Sequence, residues 1–162
     1  MYSTDLRTVE GDLFAGGGRF AIVRAKWNGL LSEQLLDGAV EAFVRHGVAR
    51  SDILVVQVPG SFEIPLAVRE LASKGGIEAV VAVGVIMRGQ TDHYELLSRE
   101  LSSALGWVMR ESSLPVTFGV VVANELEDVI NRVGAKFGNK GWEAALAAIE
   151  MASVLRKLRK RD

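Results

Sequence analysis

The run Ile77-Glu78-Ala79-Val80-Val81-Ala82-Val83-Gly84-Val85-Ile86-Met87-Arg88-Gly89-Gln90-Thr91-Asp92-His93-Tyr94 decides the architecture. Ile77 to Val85 is almost continuously apolar, the pattern of a parallel strand covered on both faces. The chain then turns at Arg88-Gly89, and a helical pattern begins at Thr91. With Thr91 as N-cap, free backbone N–H groups and the positive end of the helix dipole face the turn. That arrangement takes an anion, phosphate included. His93, one of two histidines, is then two residues inside the helix. An imidazole beside an anion site, at the carboxyl end of a strand, is where an open α/β sheet binds its ligands.

Outward from this run, strand and helix signals alternate. Arg19 to Ala25 reads as a first strand ending at Trp27-Asn28-Gly29, and Leu30 to His46 as a helix stopped by Gly47. Ile53 to Val58 is a second strand closed by Pro59-Gly60. Ser61 is positioned to cap a helix that tolerates Pro65 in its early turn and runs to Lys74. After the Thr91 to Glu111 helix come a fourth strand, Val116 to Val122, a short helix, Glu125 to Val133, and a last helix from Asn139 or Gly141 to Arg161. Leu6 to Leu13 is read as an added N-terminal edge strand. The expected fold is α/β: a three-layer, flavodoxin-like, four-stranded parallel sheet with helices on both faces, in one domain over residues 1–162.

Composition narrows the function. The chain has 162 residues, 49% of them hydrophobic, and a formal net charge of −1, so no global field draws it to nucleic acid or membrane. There is no cysteine, which removes disulfides, thiolate catalysis and cysteine-based zinc sites. No signal peptide or spanning segment is legible, so the expectation is a cytoplasmic protein. Gly16-Gly17-Gly18 precedes a strand, so it is neither a dinucleotide nor a phosphate-loop fingerprint. His46 beside Gly47 reads as a helix-end residue serving the last carbonyls. The basic ending Arg156, Lys157, Arg159, Lys160 and Arg161 reads as a solvated complement to a helix dipole, not a nucleic-acid patch.

Polar and aromatic exceptions gather after strands: Trp27-Asn28 after the first, Ser61-Phe62-Glu63 after the second, Arg88 to His93 after the third. All three surface on one edge of such a sheet. Aromatic faces at Trp27 and Phe62 suit stacking on a flat heterocycle, with Asn28 and Glu63 for its polar rim. The residues thus point to a planar polar ligand beside an anion.

These blocks carry a resemblance. Arg19-Phe20-Ala21-Ile22-Val23 with Asn28, Leu35 to Ala39, Val58-Pro59-Gly60-Ser61-Phe62-Glu63-Ile64-Pro65 and Gly84 to Tyr94 resemble, in order and spacing, the lumazine synthases of riboflavin biosynthesis. So do Pro115 to Gly119, Arg132-Val133-Gly134 and Gly138 to Ala145. The resemblance implies condensation of 5-amino-6-(D-ribitylamino)uracil with 3,4-dihydroxy-2-butanone 4-phosphate to 6,7-dimethyl-8-ribityllumazine, with no metal or organic cofactor. It also implies residue roles. His93 matches the proton-transfer histidine. Trp27, Ser61, Phe62 and Glu63 match the pyrimidine pocket, with Asn28 near it and the backbone of Val85, Ile86 and Met87 alongside. Gln90 and Thr91 match contacts to the butanone phosphate, and Arg132 the arginine that grips its phosphate. Phe118 matches a residue reaching in from a neighbouring subunit, and Lys140 lies near the site.

Duller readings stand beside these. Trp27 and Phe62 are also ordinary core aromatics, Glu63 a first-turn carboxylate, Arg132 a solvated arginine and Lys140 a loop marker. Three positions depart from the family pattern: Trp27 for phenylalanine, Met87 for isoleucine, and Val121-Val122-Ala123-Asn124 for a threonine-rich stretch. The alternative function is a weakened, shell-forming or flavin- or lumazine-binding homologue; a flavodoxin-like binder leaves the late Gly138-Asn139-Lys140-Gly141 block unexplained. The resemblance further implies a homo-oligomer, a pentamer with sites between neighbours, and a functional link to riboflavin synthase. No insertion interrupts Arg132 to Gly141, which allows an icosahedral shell of pentamers. Phe118 and the small-residue faces of the late helices read as surface that one subunit cannot bury alone.

Overall fold

A computed structural model describes residues 6–134 and 138–160. Four strands, β1 (Phe20–Ala25), β2 (Ile53–Val58), β3 (Ala79–Met87) and β4 (Val116–Ala123), form one all-parallel sheet in the order β2-β1-β3-β4. Around it lie α1 (Gly29–Arg45), α2 (Ile64–Lys74), α3 (His93–Ser112), α4 (Leu126–Arg132) and α5 (Lys140–Arg159). This is the three-layer flavodoxin-like arrangement expected, with element ends shifted by one to three residues.

The pleat divides the core in two. Phe20 and Ile22 of β1 point to one face and pack with Leu35 and Phe43 of α1 and Ala148 and Ile149 of α5. Ala21 and Val23, the alternate positions, pack with Ile64 and Val68 of α2 and Leu101 and Leu105 of α3. The central strands β1 and β3 are therefore buried along nearly their whole length, which is why both read as unbroken apolar runs. Phe20 and Phe43 meet with ring centroids 4.8 Å apart.

Helices α1 and α5 approach closely because small residues sit at the crossing. A Cβ on Gly141 would lie 1.9 Å from the Leu35 carbonyl oxygen, and one on Gly38 2.3 Å from Asn139 Oδ1. Asn139 caps α5 by accepting from the Trp142 N–H at 3.1 Å. Its amide donates to the carbonyls of Gln34 and Val133 at 2.9 and 3.0 Å, which ties α1 to the end of α4.

The structure corrects several expectations. Leu6 to Leu13 form no strand; instead Asp12 donates its N–H to Ser153 Oγ at 3.0 Å and Lys157 bonds the Glu10 carbonyl at 2.7 Å. The arm is held along α5 by side chains, so its backbone does not reach the sheet. Helix α3 starts at His93, with Asp92 and not Thr91 at the N-cap and no side-chain cap bond. The Glu95 N–H bonds the Asp92 carbonyl at 3.2 Å, so the first turn closes one residue later than the threonine signal suggests. Ser61 opens a short 3₁₀ turn, Ser61–Glu63, before α2. Ala144, Ala145, Ala148 and Ala152 of α5 are buried inside this chain, so that small-residue face is not surplus surface. The basic C-terminal segment is engaged rather than free: Arg156 pairs with Glu78, Lys157 with Asp12 at 2.9 Å, and Arg159 bonds the Ser113 carbonyl at 2.9 Å. Arg161 and residues 135–137 of the Arg132 to Gly141 segment lie outside the described residues. His46 behaves as read, with Nδ1 2.7 Å from the Ala42 carbonyl.

Candidate active site

The carboxyl ends of β1, β2 and β3 open into one cleft of about 930 Å³. Its walls follow from how each strand ends. Beyond β1 the chain stays beside β2, with N–H groups of Lys26 and Trp27 bonded to the Val58 and Pro59 carbonyls at 2.9 and 3.3 Å. It then reverses at Asn28, whose φ of 55° is left-handed, and enters α1. Asparagine tolerates that conformation better than most side chains. Its amide donates to the Val85 carbonyl at 3.1 Å and fixes the end of β3.

The second wall is Gly60 to Glu63. The Glu63 carboxylate accepts the Gly60 N–H at 2.9 Å and closes the turn. This leaves Phe62 outside, 64% exposed, facing the same cleft as Trp27, which is 72% exposed. Ser61 lies buried beneath. Large aromatic rings left this open beside a buried apolar floor are an unfavourable solvent contact unless something covers them.

Val85, Ile86 and Met87 form the floor, and Thr91 and His93 the far side. His93 is exposed at the first position of α3, where the opening N–H groups have no side-chain cap. Backbone donors, the helix dipole and an imidazole thus share one corner of the cleft. Among the described residues no group of His, Asp or Glu is arranged to hold a metal ion.

The structure brings Trp27, Asn28, Ser61, Phe62, Glu63, Val85, Ile86, Met87, Thr91 and His93 to this one cleft. Four named residues do not line it. Gln90 is exposed on the turn before it. Phe118, 42% exposed on the outer strand β4, borders a separate shallow hollow with Val122 and the side of α3. Arg132 donates to the Asp128 carbonyl at 2.9 Å within α4, and Lys140 pairs with Glu143 at 2.7 Å. Conversely, α3 supplies lining that residue reading passed over: Leu96, Leu97, Arg99, Glu100 and Ser103. They follow His93 at intervals of three, four, six, seven and ten, the stripe of one helix face, and that periodicity was the available signal.

A parallel α/β sheet whose carboxyl edge holds aromatic walls, an anion-ready helix terminus and an exposed imidazole defines a small-molecule enzyme rather than a structural module. Residues 17–156 match the family described as 6,7-dimethyl-8-ribityllumazine synthase. The chain is 49% identical over 154 residues to a protein of that name from Aquifex aeolicus (strain VF5), covering 95% of this chain and all of the relative. The chain belongs to this family, and it is a transferase of riboflavin biosynthesis.

Proposed function

We propose that the condensation takes place in this cleft, with the pyrimidine held between Trp27 and Phe62 and the butanone phosphate set against the α3 N-terminus. The observation that carries the reading is the opening of these two exposed rings and His93 onto the same 930 Å³ space. Glu63, Asn28 and the main chain of Val85 to Met87 present the polar rim a uracil ring needs. Thr91 and the N–H groups at the start of α3 receive the phosphate, and Gln90, on the turn just outside the cleft, reaches it only when its exposed side chain folds inward.

In the reaction, the 5-amino group of the pyrimidine adds to the butanone carbonyl, and loss of water leaves an imine. A proton is removed from the carbon chain and the carbon–oxygen bond to phosphate breaks, releasing inorganic phosphate. Loss of phosphate leaves an enol at the former 3-hydroxyl carbon, which tautomerises to a ketone. The ribitylamino nitrogen adds to that new carbonyl and a second water leaves as the ring closes. His93 carries protons between these steps, worth about 10²–10⁴-fold. The larger share comes from holding two reactants in register, where alignment supplies roughly 7–11 kcal/mol.

One subunit does not complete the site. Members of this family are oligomeric. Phe118 and Arg132 sit away from the subunit's own cleft, which supports their service to a neighbour's cleft. Among the described residues the outer strands β2 and β4 have no partner on their free edges, and Leu54, Val55, Phe118 and Val122 are exposed on them, which supports lateral assembly. We read the assembly as a pentamer, the unit of an icosahedral shell, with the whole chain acting as one domain and a working link to riboflavin synthase, which uses the product. No described helix is long and apolar enough to cross a membrane. A cytoplasmic location fits phosphorylated substrates that do not cross membranes.

The test is lumazine formation from the two substrates, followed by absorbance on intact assemblies, for the unaltered chain and for Trp27→Ala and His93→Gln. Loss of pyrimidine affinity in the first and of turnover in the second supports the assignment. Undiminished activity in both would place the chemistry elsewhere.

A further inference from the structure

We propose that Arg24, buried behind the cleft and touching no substrate, is a positioning residue for the pyrimidine pocket, a role that rests on the reading of the cleft given above. Arg24 lies in β1 opposite Gln57 of β2, at 9% exposure. Its Nε donates to Ser32 Oγ at 3.1 Å, Nη1 to Gln57 Oε1 at 3.0 Å and Nη2 to the Gly29 carbonyl at 2.8 Å. Ser32 Oγ in turn donates to the same Gly29 carbonyl at 3.2 Å.

Each bond ends on a segment that builds the site. Gly29 is the residue after Trp27 and Asn28, so its carbonyl fixes the left-handed reversal that places both. Gln57 immediately precedes the Val58 to Glu63 wall that carries Phe62. Ser32 holds the first turn of α1, where the N–H groups of Leu31 and Ser32 bond the Asn28 carbonyl, both at 3.0 Å. Through Asn28 the network reaches the Val85 carbonyl on the floor. One planar fork therefore sets the spacing between the two aromatic walls.

Packing alone does not account for the residue. Among the described residues all of its partners are neutral, and burying a guanidinium against neutral acceptors gains less than an apolar side chain of the same volume. What the guanidinium offers instead is rigid geometry: three donors in fixed directions, which a lysine ammonium on a flexible stem does not reproduce.

The experiment compares the unaltered chain with Arg24→Met, Arg24→Lys, Gln57→Met and Trp27→Ala, each confirmed as the intact assembly. KM for each substrate and kcat are measured separately. Arg24→Met is expected to raise the pyrimidine KM about tenfold, less than the roughly 10²-fold that a 1 Å misplacement can cost. The butanone-phosphate KM should stay within about twofold, because the α3 terminus is not tied to this network. Arg24→Lys should recover part of the loss. If Arg24→Met does not assemble, Gln57→Met removes one arm of the fork and should show the same selective rise, smaller in size. An unchanged pyrimidine KM in the assembled variants, or equal changes in both KM values, overturns the role. If Trp27→Ala raises the pyrimidine KM and the Arg24 variants do not, only the positioning role fails. If Trp27→Ala also has no effect, the pocket itself is misassigned.

Discussion

Asn28 donates its side-chain amide to the main-chain carbonyl of Val85 at 3.1 Å, joining positions 57 apart in sequence. The bond closes the cleft between the first and third strands, and it requires a residue that both accepts a φ of 55° and carries a donor. The two requirements separate experimentally. Asn28→Gly keeps the backbone freedom and loses the bond, at about 1 kcal/mol of stability. Asn28→Ala loses both and should cost roughly 1–2 kcal/mol more. Urea unfolding of the two variants reads the difference, and both should bind the pyrimidine more weakly.

The α1–α5 crossing sets a sharper limit. Gly141→Ala places a methyl 1.9 Å from the Leu35 carbonyl oxygen, where the backbone itself has to move. We expect a loss of about 3 kcal/mol or more, or no folded protein. Gly89→Ala meets nothing within 4 Å and should stay within about 0.5 kcal/mol in thermal unfolding.

His93 and Arg132 should prove to belong to different subunits of one site. His93→Gln is expected to lower kcat by about 10²-fold or more. Arg132→Ala is expected to raise the butanone-phosphate KM by roughly tenfold or more, the loss of a bidentate phosphate contact. Measured at butanone phosphate well below the KM of Arg132→Ala, where both variants are impaired, their co-assembly should bring activity to roughly a quarter of the unaltered level, because about one neighbouring pair in four then supplies both intact groups. Absence of any recovery in mixed assemblies would place both residues in the same subunit's site.

The N-terminal arm carries a pH dependence of known sign. The Lys157 ammonium, by hydrogen bond and charge, holds the Asp12 carboxyl below its ordinary value of 3.8. A carboxylate depressed in the folded state contributes its stabilisation above the unfolded value and loses it as pH falls through the folded one. The arm should therefore stay pinned at neutral pH and loosen below about pH 4. Hydrogen exchange at the Asp12 amide, which bonds Ser153, reads this directly. In Asp12→Asn the acid-dependent step should vanish, with the arm equally loose across the range.

Much of the fold was legible because burial leaves a pattern. Ile77 to Val85 reads as a strand since a central parallel strand has no polar face, and β3 is buried at all but its last position. The helix from Leu30 to His46 reads correctly because one face of α1 is buried, at Leu35, Ala39 and Phe43, while Val44, also apolar, stays exposed. Two expectations failed for different reasons. Helix α3 opens at Asp92 with no side-chain cap, so the capping signal of Thr91 goes unused, and the arm at Leu6 to Leu13, apolar enough for a strand, was claimed by Ser153 and Lys157. No window of sequence contains those partners, which lie more than 140 residues away.

Residue types and spacing determined that three strand ends would carry Trp27, Phe62 and His93, because chain order and alternation alone put parallel strand ends on one edge. What tertiary structure decided is how those ends face one another. The left-handed turn at Asn28, the Gly60–Glu63 clasp and the Arg24 fork set the separation of the walls. Phe118 and Arg132, alike in sequence promise, fall on other surfaces of the same subunit. The physical reason is reach: a local pattern governs the backbone of its own segment, whereas a binding site is made of contacts between segments, and those exist only once the chain has closed on itself.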